Sequence, residues 1–303
     1  MMQEKINYGG WPNCIRLYND EIELIVTTDI GPRIIRLGFI DMQNFFYQST
    51  EDGGKVRGKD WRIYGGHRLW LAPEAIPLSY HPDNEPVNYI YNGGTLTLTQ
   101  AKETTSGMVK EMEITLSPGK NNVTVLHRLI NHNMSEIETS PWAISAMAPY
   151  GRAIIPQEPY GAGDDYLLPA RPLSLWHYTK MNDSRWIWGD KYIQAIQDPA
   201  KASEQKIGVL NKEGWTAYCL NGELLIKKFD YKPGAVYPDF GCNNETYING
   251  NLLEIETLGP LTKIHPGGVV EHRENWLLCK AEVDKIEKSI DENILPIVES
   301  FKK

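Results

Sequence analysis

The feature that most constrains this chain is a recurrence, from end to end, of short runs alternating between apolar and polar residues. Residues 21–27, 95–99, 109–116, 122–130, 207–210, 252–258 and 269–279 all read this way. A two-residue period is that of a strand with one face buried. Between the runs lie Asp52-Gly53-Gly54, Asn92-Gly93-Gly94, Pro118-Gly119, Asn221-Gly222, Asn249-Gly250 and Pro266-Gly267-Gly268, the residue types that tight turns demand. No strand-then-helix repeat occurs, which disfavours a doubly wound α/β arrangement. The expected fold is all-β: a large antiparallel β-sandwich, with residues 1–303 as one domain. Helix is expected only in a short C-terminal tail, about 281–303. There Val283, Ile286, Ile290 and Ile294 recur at three- and four-residue spacing, and Pro296 should kink or end the helix.

A chain of 303 residues with 41% hydrophobic and 23% charged residues can build a core without covalent staples. Its 39 acidic and 31 basic residues give a formal charge of −8, and the basic residues cluster no further than pairs such as Lys227-Lys228. Phosphate-backbone binders concentrate Lys and Arg on one face, so neither nucleic acid nor an anionic membrane is an expected partner. Cys14, Cys219, Cys242 and Cys279 lie far apart with no Cys-x-x-Cys pair, and are read as free thiols. Residues 1–7 carry no apolar stretch of the secretory kind, and no window approaches the roughly 20 apolar residues of a membrane span. The cytoplasm is the expected compartment.

Three segments carry groups suited to chemistry. The first holds Tyr64, Gly65-Gly66, His67, Arg68, Trp70 and Glu74. Paired glycines let the backbone turn sharply or approach a ligand. Arg68 can fork two hydrogen bonds to vicinal hydroxyls, His67 can transfer a proton near neutral pH, and the Trp70 indole can cover the apolar face of a pyranose. A hairpin in which Arg68 pairs with Glu74 accounts for the same residues. The second segment holds Asn243 and Glu245, then Glu254 and Glu256, which share a strand face. Carboxylates so placed repel each other, raising one towards the range of a general base; a solvent-facing acidic row is the alternative. The third segment places His272, Glu274 and Trp276 on one strand face, where a carboxylate can orient an imidazole or simply support the fold.

Nine Trp and sixteen Tyr against six Phe give the aromatic set polar tips suited to sugars. Trp176, His177 and Tyr178, then Trp186 and Trp188, are candidates for another wall of a cleft. No His-Glu-x-x-His, Gly-x-Ser-x-Gly or P-loop pattern is present. No metal or cofactor is expected, the loop pair Asp164-Asp165 being a weak signal for an ion.

Several of these segments, in order, resemble a bacterial group within the galactose mutarotase-like (aldose 1-epimerase-like) superfamily. They are Thr27-Thr28-Asp29-Ile30-Gly31-Pro32-Arg33, Gly65-Gly66-His67-Arg68-Leu69-Trp70, Ala72-Pro73-Glu74, Glu254-Ile255-Glu256-Thr257-Leu258-Gly259-Pro260 and His272-x-Glu274-x-Trp276. The resemblance runs from about residue 10 to 280. It implies a supersandwich with a small-molecule carbohydrate on its concave face, Glu256 as general base at the anomeric hydroxyl, and Arg68 binding sugar hydroxyls. The family's acid is a His in a strand ending His-Pro-Tyr; the similar stretch here ends Ala148-Pro149-Tyr150, so His67 is expected to supply the acid.

Three readings follow: an aldose epimerase with Glu256 and His67 catalytic; a non-catalytic carbohydrate-binding or sensing domain; and a glycoside hydrolase or lyase. The first takes Arg68, Trp70, Glu74, Tyr64, Asn243, Glu245, His272 and Glu274 as substrate contacts. The third needs two carboxylates flanking a glycosidic bond, whereas Glu254 and Glu256 sit side by side. The epimerase reading expects His67, Arg68 and Glu256 to converge on one saccharide-sized hollow.

Overall fold

The computed structural model describes residues 2–158, 160, 161, 163 and 167–301. Strands in chain order are β1 (Met2–Tyr8), β2 (Trp11–Tyr18), β3 (Ile22–Thr27), β4 (Arg33–Phe39), β5 (Gly66–Ala72), β6 (Asn88–Asn92) and β7 (Thr95–Thr99). Next come β8 (Met108–Leu116), β9 (Asn122–Asn131), β10 (Ile137–Met147), β11 (Arg152–Pro156), β12 (Leu173–Leu175), β13 (Trp186–Trp188) and β14 (Tyr192–Ile196). The last are β15 (Gln205–Val209), β16 (Trp215–Leu220), β17 (Glu223–Phe229), β18 (Asn244–Ile248), β19 (Leu253–Leu258), β20 (Thr262–Ile264) and β21 (Val269–Lys280).

They form two antiparallel sheets. One runs β1-β2-β3-β4-β5-β10-β19-β18-β15-β12, with β20 also paired to β10; the other runs β13-β14-β11-β16-β17-β21-β9-β8-β7-β6. Side chains alternating off the first sheet meet those of the second in the core, where Leu24, Leu37, Leu253 and Ile255 pack with Ile114, Val125 and Trp276. The all-β sandwich expected from the alternating runs is the observed architecture.

The first sheet therefore has an inner face against the second sheet and an outer face turned away. A separate cluster covers the outer face: Trp70, Trp142, Ile144 and Leu258, with Trp61 and Tyr80 packed on it. β10 and β19 lie mid-sheet, so residues on both their faces are covered: β19 is buried throughout and β10 from Thr139 onward.

The C-terminal tail is helical later than its periodicity suggests. Helices span Glu287–Asn293 and Leu295–Ser300, and Pro296 sits in the first turn of the second. Proline lacks the N–H that would continue a helix but suits a helix start, so the break falls just before it. Ile290, Ile294 and Val298 pack on Ile154, Trp215 and Ile226 of the second sheet. Lys228 Nζ donates to the carbonyls of Val298 and Phe301, satisfying the final turn.

Candidate functional site on the outer face of the first sheet

Cross-strand register assembles the site. One row across the sheet reads Arg68, Ile144, Glu256, Glu245, Gly208; the next reads Gly66, Ala146, Glu254, Tyr247, Lys206. Residues directly opposite share a face. Segments nearly two hundred residues apart thus place their charged groups together. Small residues lie between the large ones: a Cβ at Gly208 would sit 2.6 Å from Cys242 Sγ and 3.3 Å from Glu245 Cγ.

Arg68 Nη1 pairs with Glu254 Oε1 at 3.1 Å, and its guanidinium lies 4.6 Å from the Trp70 ring centre and 5.8 Å from that of Trp61. Trp70 packs in turn against Tyr80 and Trp142. Glu74 accepts a hydrogen bond from the Tyr80 hydroxyl. The pairing of Arg68 with Glu74 considered from sequence is replaced by the pairing with Glu254, because β5 and β19 both flank β10 and present these side chains on one face.

Beside this pair lies a second charged group. Glu256 Oε2 accepts hydrogen bonds from Trp142 Nε1 and Lys206 Nζ, both at 2.8 Å, while its Oε1 has no partner. Lys206 Nζ also lies 2.8 Å from Glu245 Oε2, a close ionic contact. The ammonium is sandwiched between the Trp142 and Trp176 rings, at 4.6 and 4.7 Å from their centres. Burial pushes the Glu256 carboxyl above its usual range even against the opposing pull of Lys206. Burial pushes Glu245 further, well above that range, with Lys206 again opposing. Burial disfavours the Lys206 ammonium, yet Glu256 and Glu245 together hold its pKa well above the usual value.

Trp176 also walls a neighbouring hollow of about 490 Å³, lined with Ser174, Leu175, His177, Asp239 and Phe240. Phe240 is 98% exposed, on a turn where both Asp239 and Phe240 take positive φ, 51° and 63°. Left-handed backbone at consecutive non-glycine residues is costly and concentrates at functional sites. Here it holds an aromatic ring in solvent at the rim. Of the expected second wall, Trp176 and Tyr178 border the site, and burial is the main cause raising the Tyr178 pKa, with Glu256 also raising it. Trp186 and Trp188 lie on β13, in the other sheet.

His67 does not join Glu256. Neighbouring residues of a strand point to opposite faces, so His67 projects inward where Arg68 projects outward. It is wholly buried between the sheets. His127 Nδ1–H donates to the His272 carbonyl at 3.0 Å, which leaves its Nε2 to accept from His67 Nε2–H at 2.7 Å. His67 Nδ1 then accepts from the Ser145 hydroxyl, 2.8 Å away, which itself accepts from Lys227 Nζ. Burial lowers the pKa of His67 well below the usual value and that of His272 to about 3. These imidazoles are neutral, hydrogen-bonded parts of the core.

His272 and Glu274 belong to the same inner network. Glu274 pairs with Lys227 at 2.8 Å and accepts from Thr257 and Trp276; Thr257 in turn accepts from His272 Nε2. His67, His127 and Glu274 offer three donor atoms within 4.8 Å of one another. They do not fit a cation: the lone pairs of both imidazoles are engaged, and the Lys227 ammonium already compensates Glu274. Tyr64 packs on Trp11 away from the outer-face group, and Asn243 is tied to the Asn211 backbone. The Asp164-Asp165 pair lies outside the described residues.

Lys206 is the functional candidate the sequence concealed. It stands just before the strand-like run at 207–210, but its partners are 39 and 50 residues away and only the register of β15, β18 and β19 brings them together.

No family model matches this sequence, and no curated protein matches it. Solved structures do. A TPR-domain containing protein from Parabacteroides distasonis superposes with TM-score 0.62 at 16% identity, over 89% of this chain and 48% of that one. The chain thus spans about half the length of that protein. A galactose mutarotase-like protein from Lactobacillus casei gives TM-score 0.58 at 8% identity, covering 88% of this chain and all of the other. A galactose mutarotase related enzyme from Lactobacillus acidophilus gives 0.52 at 9%, covering 94% and 100%.

Proposed function

We propose that this chain, whose fold is galactose mutarotase-like, binds a small-molecule carbohydrate on the outer face of its first sheet. There it acts as an aldose epimerase-like isomerase, with Glu256 as base at the anomeric hydroxyl. The observation that carries the reading is the outer-face constellation itself. An Arg68–Glu254 pair and a Glu245–Lys206–Glu256 group are ringed by Trp61, Trp70, Trp142, Trp176 and Tyr80. Flat apolar faces beside forked hydrogen-bonding groups suit a pyranose. A carboxylate raised by burial, with one oxygen unpartnered, suits proton abstraction. The relative from Lactobacillus acidophilus, described as a galactose mutarotase related enzyme, points the same way by fold.

Glu256 is closed over by Trp142, Lys206 and Trp176 in this conformation. Entry of a sugar therefore displaces Trp176, the half-buried member that borders the hollow. The test is anomer exchange of a hexose panel followed by NMR, with calorimetry alongside. Glu256→Gln is expected to abolish exchange while sugar binding persists; exchange at the wild-type rate in that variant refutes the base assignment. The second reading is a non-catalytic sugar-binding domain, favoured by Ala148 at the place of the family's His and by the Lys206 ion pair on Glu256. It predicts heat of binding without exchange in the wild-type protein.

A further inference from the structure

We propose that Glu245 is the acid of this site, a neutral carboxylic acid that takes the place of the missing imidazole and protonates the ring oxygen. The proposal rests on the epimerase reading and names its second catalytic residue. Glu245 and Glu256 are directly paired residues of neighbouring strands, both buried, and share one cation, Lys206, at 2.8 Å from each. Two carboxylates and one ammonium would leave an uncompensated buried charge, which costs several kcal/mol per ion in order of magnitude. Like charges so close do not both ionise. The group therefore holds one proton.

The hydrogen bonds decide where it sits. Glu256 Oε2 receives two N–H donors, from Trp142 and Lys206, and such bonds favour the ionised form. Glu245 has only the 2.8 Å contact of Lys206 and no second donor. The other groups facing Glu245 are Asp239, which disfavours its ionisation, and the thiol of Cys242; neither brings positive charge. The cross-strand pairing of Glu245 with Glu256 suits anomer exchange, because the two oxygens to be served are bonded to the same carbon.

In the forward step the anomeric O–H proton passes to Glu256 Oε1, and the Glu245 proton passes to the ring oxygen. The bond between C1 and the ring oxygen breaks, and C1 becomes the aldehyde carbon. After rotation about C1–C2 the hydroxyl on C5 adds back to C1 and returns its proton to Glu245. Glu256 then returns its proton to O1. No redox partner is needed, and both carboxyls end as they began.

Two measurements test this. Carbon-13 NMR of the side-chain carboxyls, assigned with Glu245→Gln and Glu256→Gln, is expected to give neutral-acid behaviour for Glu245 at pH 7 and carboxylate behaviour for Glu256. An ionised Glu245 at that pH overturns the assignment whatever the activity. In anomer exchange, Glu245→Gln, an isosteric neutral group that cannot donate a carboxyl proton, is expected to lower kcat about 10²–10⁴-fold with hexose affinity within a few-fold. Wild-type kcat in the variant also overturns it. Absence of exchange in the wild-type protein refutes the epimerase reading, and the acid role with it; a neutral Glu245 would then mark only the charge balance of the group.

Discussion

Lys227→Met probes the inner network that claims His67. The ammonium, wholly buried, lies 2.8 Å from Glu274 and donates to Ser145. Methionine of similar length fills the space, so the loss is chiefly that of charge compensation. Removing one partner of a buried ion pair costs about 3–5 kcal/mol. Thr257 and Trp276 still donate to Glu274, which argues for the lower end, about 3 kcal/mol. Burial alone would push the Glu274 carboxyl up, but Lys227 holds it well below the usual range. A depressed carboxyl contributes stability above the unfolded value, about 4.3, and loses it as pH falls towards the folded value. Without Lys227 the carboxyl rises, so the variant binds a proton the wild type does not. The deficit should be greatest at neutral pH and shrink on acidification, by at most about 1.4 kcal/mol per pH unit. Urea unfolding across that range measures it. The double variant Lys227→Met with Glu274→Gln removes both charges and is expected to recover most of the loss. A deficit under about 1 kcal/mol, or one unchanged by pH, would refute this account of the network.

Two further outcomes follow from the outer face. Because the Glu245 carboxyl is raised, the folded wild type keeps a proton that the unfolded chain releases, and its stability falls as pH rises above the ordinary carboxylate value. Glu245→Gln removes that titration and should gain on the wild type by up to about 1.4 kcal/mol per pH unit within the window; parallel urea-stability curves would contradict this. Arg68→Met removes a charged hydrogen-bonding group, worth about 1.5–3 kcal/mol, and should weaken hexose binding about tenfold to a hundredfold by calorimetry. Unchanged affinity would place the sugar elsewhere.

Much of this was legible in the residues. Alternation along 252–258 correctly put Glu254 and Glu256 on one face, and that along 269–279 put His272, Glu274 and Trp276 together, though facing inward. The error over His67 was also readable: His67 and Arg68 are consecutive in one strand, and a strand cannot turn both to the same ligand. What periodicity cannot give is register. Glu245 meets Glu256, and Lys206 reaches both, only because β18 is hydrogen-bonded between β15 and β19. Local sequence carries no mark of that pairing. Nor does it show that Trp176, on the short edge strand's trailing segment, closes over the ammonium.

A crystal structure of the protein with a bound hexose tests the central claim most directly. The account places the sugar on the outer face, beside Arg68 and Trp70, with its anomeric oxygen within hydrogen-bonding reach of Glu256 and Trp176 moved aside. A sugar bound away from that face, with Glu256 still sealed beneath Lys206, would contradict it.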